Sequence, residues 1–339
     1  MERKKWILIF LLLHSSYLFA QEISPEKLGF TEVVLKDKNL GDIHYYITKC
    51  GEKENKPVLL YLDGSGAYPL FQYTERGLGS SVPFDFKKIS EEYHLVIISK
   101  PGVPFCDSVK MSDYGYPEYP VPEEYKKRLS LEWRSQSASK VIADVKRKNK
   151  IKNNKIAVLG ISEGFQVAAH LASTNKSVTH LLIFVGNGLT QFFDFLLQNR
   201  IDAQLSKITL EESQQEVDSL YAIIRDIYQH PNATDKEWYG HTYLRWSSFC
   251  SFNPTEAISS LNIPVYIVAA ANDRNTSVLG TDYLYLESIR KNKNNISYHV
   301  YPYDHSLNEY VLDKEGQITG VKPHLQEILQ QSLDWLKLN

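Results

Sequence analysis

The chain has 339 residues, with 38 basic and 40 acidic side chains and a formal net charge of −2. So balanced a charge offers no basic face to a nucleic-acid backbone. Three cysteines, Cys50, Cys106 and Cys250, are too few and too scattered for a disulfide framework, though one pair is compatible with an oxidising compartment, and no C-x-x-C, H-E-x-x-H or carboxylate cluster suggests a metal site.

The start is basic at Arg3, Lys4 and Lys5, apolar over residues 6–13, and runs to a cleavage-compatible Ala20 before Gln21. Residues 1–20 therefore read as a secretory signal peptide, too short to span a membrane, with no cysteine after Ala20 to mark a lipoprotein. Cleavage would leave about 319 residues and a net charge of about −4. Sequons begin at Asn175, Asn232, Asn275 and Asn295. A glycan on Asn275 would crowd the candidate acid identified below, which favours a bacterial periplasmic or secreted protein over a eukaryotic secretory one.

Residues 30–35 and 43–48 read as an opening hairpin, and 57–62 as a buried strand that runs into Asp63-Gly64-Ser65-Gly66. A strand over 93–99 leads to a Pro- and Tyr-rich loop, residues 101–122, whose Phe105, Tyr114, Tyr116 and Tyr119 either wall a pocket or pack the surface. Residues 129–148 form a helix with Trp133, Ala138, Val141, Ile142 and Val145 at core spacing.

The most informative stretch comes next. A strand over 155–159 enters Gly160-Ile161-Ser162-Glu163-Gly164 and then a helix over 165–172 rich in small residues. Strand, G-x-S-x-G and helix make a nucleophile elbow: glycines flank a reversal too sharp for side chains, the Ser162 hydroxyl stands at the tip, and the Glu163 N–H faces a developing oxyanion. A serine nucleophile needs a base, and the base an orienting carboxylate, in the chain order Ser, Asp, His. After a strand over 178–185 and an excursion of roughly 75 residues, a strand over 262–271 ends in the polar turn bearing Asp273. A strand over 296–301 is followed by Tyr303-Asp304-His305-Ser306. Both residues sit just past strand ends, where loops of parallel sheets meet ligands. Asp304 competes with Asp273 as the acid, but an immediate neighbour in an extended loop points away from the His305 ring. His170 and His299 lie inside regular elements and read as packed rings, whereas His241 lies in the excursion and within reach of a substrate, out of the expected order.

The second oxyanion donor is expected in the loop after the 57–62 strand, as the Ser65 amide beside that of Glu163. A carboxylate at Asp63 facing an oxyanion would be repulsive, so Asp63 is expected to turn toward backbone donors or an arginine such as Arg134.

These residues resemble the α/β-hydrolase superfamily, in particular its esterases and prolyl-oligopeptidase-like peptidases, from about Phe30 to Leu338. The matching positions are Ser162 in G-I-S-E-G, Asp273 in A-N-D-R-N, His305 in Y-D-H-S, and the D-G-S-G loop; Asp63 departs from the usual histidine, and Ala271 from a common glycine. The resemblance implies an α/β fold with a mostly parallel central sheet flanked by helices and a helical cap. The expected division is a core over 21–188, a cap over 189–260 and a second core segment over 261–339. In the cap, Phe192, Trp238, Tyr243, Trp246 and Phe249 either meet substrate or pack together.

The expected activity is serine-dependent hydrolysis of a carboxylic ester, without cofactor or metal, on a small-molecule or peptide substrate, with neither nucleic acid nor a stable membrane partner. A serine peptidase is the alternative within the class; it would need an amine-binding acidic group, for which Glu211, Glu212 and Glu216 compete with a plain solvated helix face. A non-catalytic protein that keeps the fold and pocket is the alternative outside it.

Overall fold

The computed structural model describes residues 23–113 and 117–339; the segment read as a signal peptide, together with Tyr114 and Tyr116, lies outside the described residues. Eight strands form the main sheet: β1 (Phe30–Asp37), β2 (Gly41–Thr48), β3 (Lys56–Leu62), β4 (His94–Ile98), β5 (Ile151–Ile161), β6 (His180–Phe184), β7 (Val265–Ala270) and β8 (Ile296–Tyr301). Their order across the sheet is β1-β2-β4-β3-β5-β6-β7-β8. β2 is antiparallel to both neighbours, and every pairing from β4 to β8 is parallel.

The alternation of the strands sorts their side chains into two cores. One face carries Val58, Leu60, Val96, Val158, Leu181 and Ile267, covered by α1 (Leu131–Lys148) and α2 (Glu163–Thr174). The other carries Leu59, Leu95, Leu159, Leu182 and Val268, covered by the C-terminal helix. Each such fully buried aliphatic side chain contributes about 2 kcal/mol. β5 begins at Ile151, earlier than its apolar pattern suggests, because Asn153 and Asn154 adopt positive φ where its pairing with β3 is irregular.

Between β6 and β7 the chain forms α3 (Gln191–Gln204), α4 (Leu210–Gln229), α5 (Tyr243–Cys250) and α6 (Pro254–Ser260). Phe192, Ile227, Tyr243, Trp246 and Cys250 bury one another in a separate small core, in which the Phe192 and Trp246 rings stack at 5.6 Å. The cluster that sequence alone left open between substrate contact and packing is thus largely packing. Phe249 and Ile258 already belong to the main core, so the excursion rejoins it before residue 260. Phe105 likewise packs in the core, 4.5 Å from the Tyr46 ring, and Tyr119 donates its hydroxyl to Asp107.

α7 (Val278–Arg290) follows β7, and α8 (Leu325–Leu338) closes the chain. Before α8 stands an antiparallel hairpin, Asn308–Leu312 with Ile318–Pro323, that the sequence reading left unassigned.

The tightest backbone contact lies at the elbow. A Cβ at Gly164 would sit 2.0 Å from the Leu62 carbonyl oxygen, and one at Gly160 would sit 2.2 Å from the Gly164 carbonyl oxygen. Neither obstacle is the end of a flexible side chain. Gly164→Ala is therefore expected to lower stability by about 3 kcal/mol or more, or to abolish folding; a denaturant midpoint equal to that of the wild type would contradict this packing.

Candidate active site

The parallel strands deliver their following loops to one end of the sheet. β3 and β5 pair as far as Gly160 opposite Leu62, so Asp63 and Ser162 leave the sheet side by side. Ser162 has φ 58° and ψ −122°, a strained combination for a residue with a Cβ, held by its N–H on the Phe184 carbonyl at 3.0 Å. Gly64 lies against it: a Cβ there would be 3.4 Å from the Ser162 Cβ and 3.7 Å from its Oγ. Glu163 is the first residue of α2, so its N–H has no carbonyl one turn back to bind.

β7 and β8 bring in the other two groups. His305 Nε2 lies 3.0 Å from Ser162 Oγ, and His305 Nδ1 lies 2.7 Å from Asp273 Oδ2. The Asp273 side chain is 1% exposed and is held by four donors. Its Oδ1 accepts the N–H groups of Asn275 at 2.7 Å and Thr276 at 2.9 Å, while Oδ2 takes the Thr276 hydroxyl at 2.6 Å and the histidine. Asp304 is not at the ring. It caps the turn into the hairpin, accepting from the N–H groups of Ser306 and Asn308 and from the Tyr310 hydroxyl. His170 packs edge-on to Phe252, and His299 stacks on Tyr266.

Behind the elbow lies a buried group of five charges. Arg134 reaches the Asp63 backbone carbonyl at 3.0 Å and the Asp63 carboxylate through Nη2, and Glu163 Oε1 at 2.8 Å through Nη1. Lys100 binds Asp63 Oδ2 at 2.6 Å and the Gly66 carbonyl at 2.8 Å. Arg245, from α5, pairs with Glu163 Oε2 and lies over the rings of Trp246 and Phe249, 4.3 and 4.7 Å from their centroids. Burial alone would raise the Glu163 pKa, but Arg245, Arg134 and Lys100 outweigh it and hold the carboxyl down at about 2. Burial, reinforced by Arg245, pushes His241 down to about 4, so that ring is neutral at ordinary pH.

Asp63 thus turns away from the nucleophile, onto Arg134. Lys100 and Arg245 escaped the sequence reading. Their only local signals are a cation at the end of the apolar β4 strand and a lone cation within an aromatic run.

Asp194 was missed as well. It projects from the first turn of α3 and accepts from the Asn187 side chain and, at 3.1 Å, from the N–H of Ser277, just beyond the acid turn. Burial, and further the Asp273 charge, raise its pKa to about 7 against those hydrogen bonds. Among the described residues no group of three His, Cys, Asp or Glu side chains is placed to hold a metal ion.

Residues 139–305 match a family model described as BAAT / acyl-CoA thioester hydrolase C terminal, just under half of the chain. No curated protein matches the sequence. Among solved structures, the chain is similar to the acylaminoacyl peptidase of Pyrococcus horikoshii at 13% identity and TM-score 0.52, covering 81% of this chain and 37% of that one. It is similar to dipeptidyl peptidase 4 of Porphyromonas gingivalis at 11% identity and TM-score 0.52, covering 91% and 35%. It is also similar to the α/β hydrolase GrgF of Penicillium sp. sh18 at 12% identity and TM-score 0.52, covering 91% and 98%. The chain therefore spans little more than a third of either peptidase and nearly all of the fungal hydrolase. The strand order, the elbow and these likenesses together show the α/β-hydrolase fold.

Asp194 yields a signed pH prediction. Its folded pKa of about 7 stands above the ordinary carboxylate value, so the folded state binds this proton more tightly than the unfolded state. The stability it confers is present at pH 4 and is lost as pH rises to about 7. Asp194→Asn keeps the acceptor oxygen and removes the titration. The difference in melting temperature between variant and wild type is expected to move in the variant's favour from pH 4 to pH 8; a difference constant across that range would contradict the assignment.

Proposed function

We propose that this protein is a serine hydrolase that cleaves carboxylic esters through an acyl-enzyme. The observation that carries the proposal is the continuous hydrogen-bonded line from Ser162 Oγ through His305 to the buried, four-fold hydrogen-bonded Asp273. Ser162 donates its hydroxyl proton to His305 Nε2 as Oγ attacks the substrate carbonyl carbon. Asp273 accepts the Nδ1–H, fixes that tautomer and stabilises the imidazolium. The backbone amides of Ser65 and Glu163 receive the oxyanion; a donor of this kind is worth about 100-fold or more in rate. His305 then protonates the leaving alkoxide, and water, deprotonated by the same ring, releases the acid and restores Ser162.

The ester reading over the peptide reading is supported by how the acidic side chains are occupied. Glu163 is taken up by two arginines, and Glu212 is used in the capping box of α4 with Thr209, while Glu211 and Glu216 are exposed. Glu163 and Glu212 are therefore committed to other partners, and Glu211 and Glu216 stand on the solvated face of α4. The family model over residues 139–305 is named for thioester hydrolysis, which uses the same acyl chemistry with a thiol leaving group.

The test is labelling by a fluorophosphonate probe, followed by turnover of p-nitrophenyl esters, acyl-CoA thioesters and aminoacyl anilides. The wild type is expected to label and to hydrolyse the esters, Ser162→Ala to do neither, and Asp273→Asn to lose about 10⁴-fold in kcat with its fold intact. Turnover confined to the anilides would make the protein a peptidase, and folded wild type that does not label would make it a non-catalytic relative.

A further inference from the structure

We propose that Arg134 is a positioning residue whose single guanidinium sets the spacing of the two oxyanion amides, Ser65 and Glu163. The inference rests on the serine-hydrolase reading and extends it to a residue that touches neither substrate nor triad.

The strand ladder stops short of the amides that matter. Pairing between β3 and β5 ends at Leu62 opposite Gly160, while Ser65 lies three residues beyond one strand end and Glu163 three beyond the other paired residue. Past that point the two loops are joined by side chains. Arg134, 5% exposed and rooted in the core helix α1, places Nη2 on the carboxylate and carbonyl of Asp63 and Nη1 on the carboxylate of Glu163. A planar fork with two separate donor arms fixes a distance, which one ammonium cannot do. Lys100 completes the hold on the Ser65 side, through Asp63 and the Gly66 carbonyl.

Charge counting distinguishes this role from simple neutralisation. The buried group holds three cations, Lys100, Arg134 and Arg245, against two carboxylates, Asp63 and Glu163. Without Arg134, Asp63 keeps Lys100 and Glu163 keeps Arg245, so neither carboxylate is stranded and the group becomes neutral. Arg134 is therefore dispensable for pairing the buried charges. What is lost on its removal is the bridge.

The experiment compares wild type, Arg134→Met and Arg134→Lys on a p-nitrophenyl ester and its thionoester, in which sulfur replaces the carbonyl oxygen. Sulfur is a weak acceptor, so a well-formed oxyanion site discriminates strongly against the thionoester. Arg134→Met is expected to lower kcat on the ester about 100-fold, the cost of misplacing a catalytic group by about 1 Å, with KM changed less than about threefold. The ester-to-thionoester ratio should fall with it, and thermal melting should stay close to that of the wild type. Arg134→Lys, which keeps the charge without the fork, is expected to resemble the Met variant.

A ratio unchanged in both variants would overturn the proposal, as would full recovery by lysine, which would assign the effect to charge alone. Should Arg134→Met fail to fold, the lysine variant decides by the same ratio. Labelling of Ser162 in the wild type separates the two levels. A labelled wild type with unperturbed variants defeats only the role of Arg134, whereas an unlabelled wild type defeats the hydrolase reading and this inference with it.

Discussion

The parallel pairing of β3 and β5 brings two chain reversals to the same point, and the space between them is smaller than a methyl group. Gly164 faces the Leu62 carbonyl so closely that a Cβ would approach to 2.0 Å. This contact allows the loop after β3 to pass beside Ser162, with Gly64 in van der Waals range of the serine side chain. Gly164 is therefore required by the neighbouring strand, and Gly160 by the turn and the helix that follows it. Were the helix held further off, the loop after β3 would stand away from Ser162, whose hydroxyl would keep only its contact with His305.

The charges behind that contact are an expensive way to hold two loops. Buried ion pairs return little net stability against well-packed apolar side chains, because desolvation offsets most of the Coulombic gain. Their use here follows from geometry: a guanidinium can address two carboxylates from two separate loops in fixed directions, whereas apolar contacts would permit sliding. Charge also extends the connection outward. Arg245 carries α5 onto Glu163, and Asp194 carries α3 toward the turn of Asp273 through Ser277, so two helices of the excursion are anchored beside Ser162 and Asp273 respectively.

Elements whose signal is local were legible in the sequence. Alternating and continuous apolar runs located all eight strands of the main sheet, and the glycine spacing around Ser162 located the elbow. The order Ser, Asp, His selected three residues that the fold joins in one line of hydrogen bonds, with His305 between Ser162 and Asp273. The hairpin after His305 was less legible, because Tyr310, Leu312, Ile318 and Val321 are solvent-exposed and its alternation builds no core. Lys100 and Arg245 were illegible for another reason: their roles are defined by partners 37 and 82 residues away, on elements whose adjacency only the completed fold creates. Asp63 lies between these cases. Repulsion from an oxyanion was reason enough to expect it to turn away, and Arg134 was a nameable partner, but not the lysine that shares it.

The five-charge group also bears on how the helical excursion can move. Glu163 is held by Arg134 from the core and by Arg245 from α5. If α5 withdrew, Glu163 would keep its core partner and the elbow would keep its geometry. Arg245 would lose its only ion-pair partner among the described residues, while the rings it lies over, Trp246 and Phe249, belong to its own helix and would move with it. The hydrogen-bonded line from Ser162 through His305 to Asp273 does not pass through this ion pair.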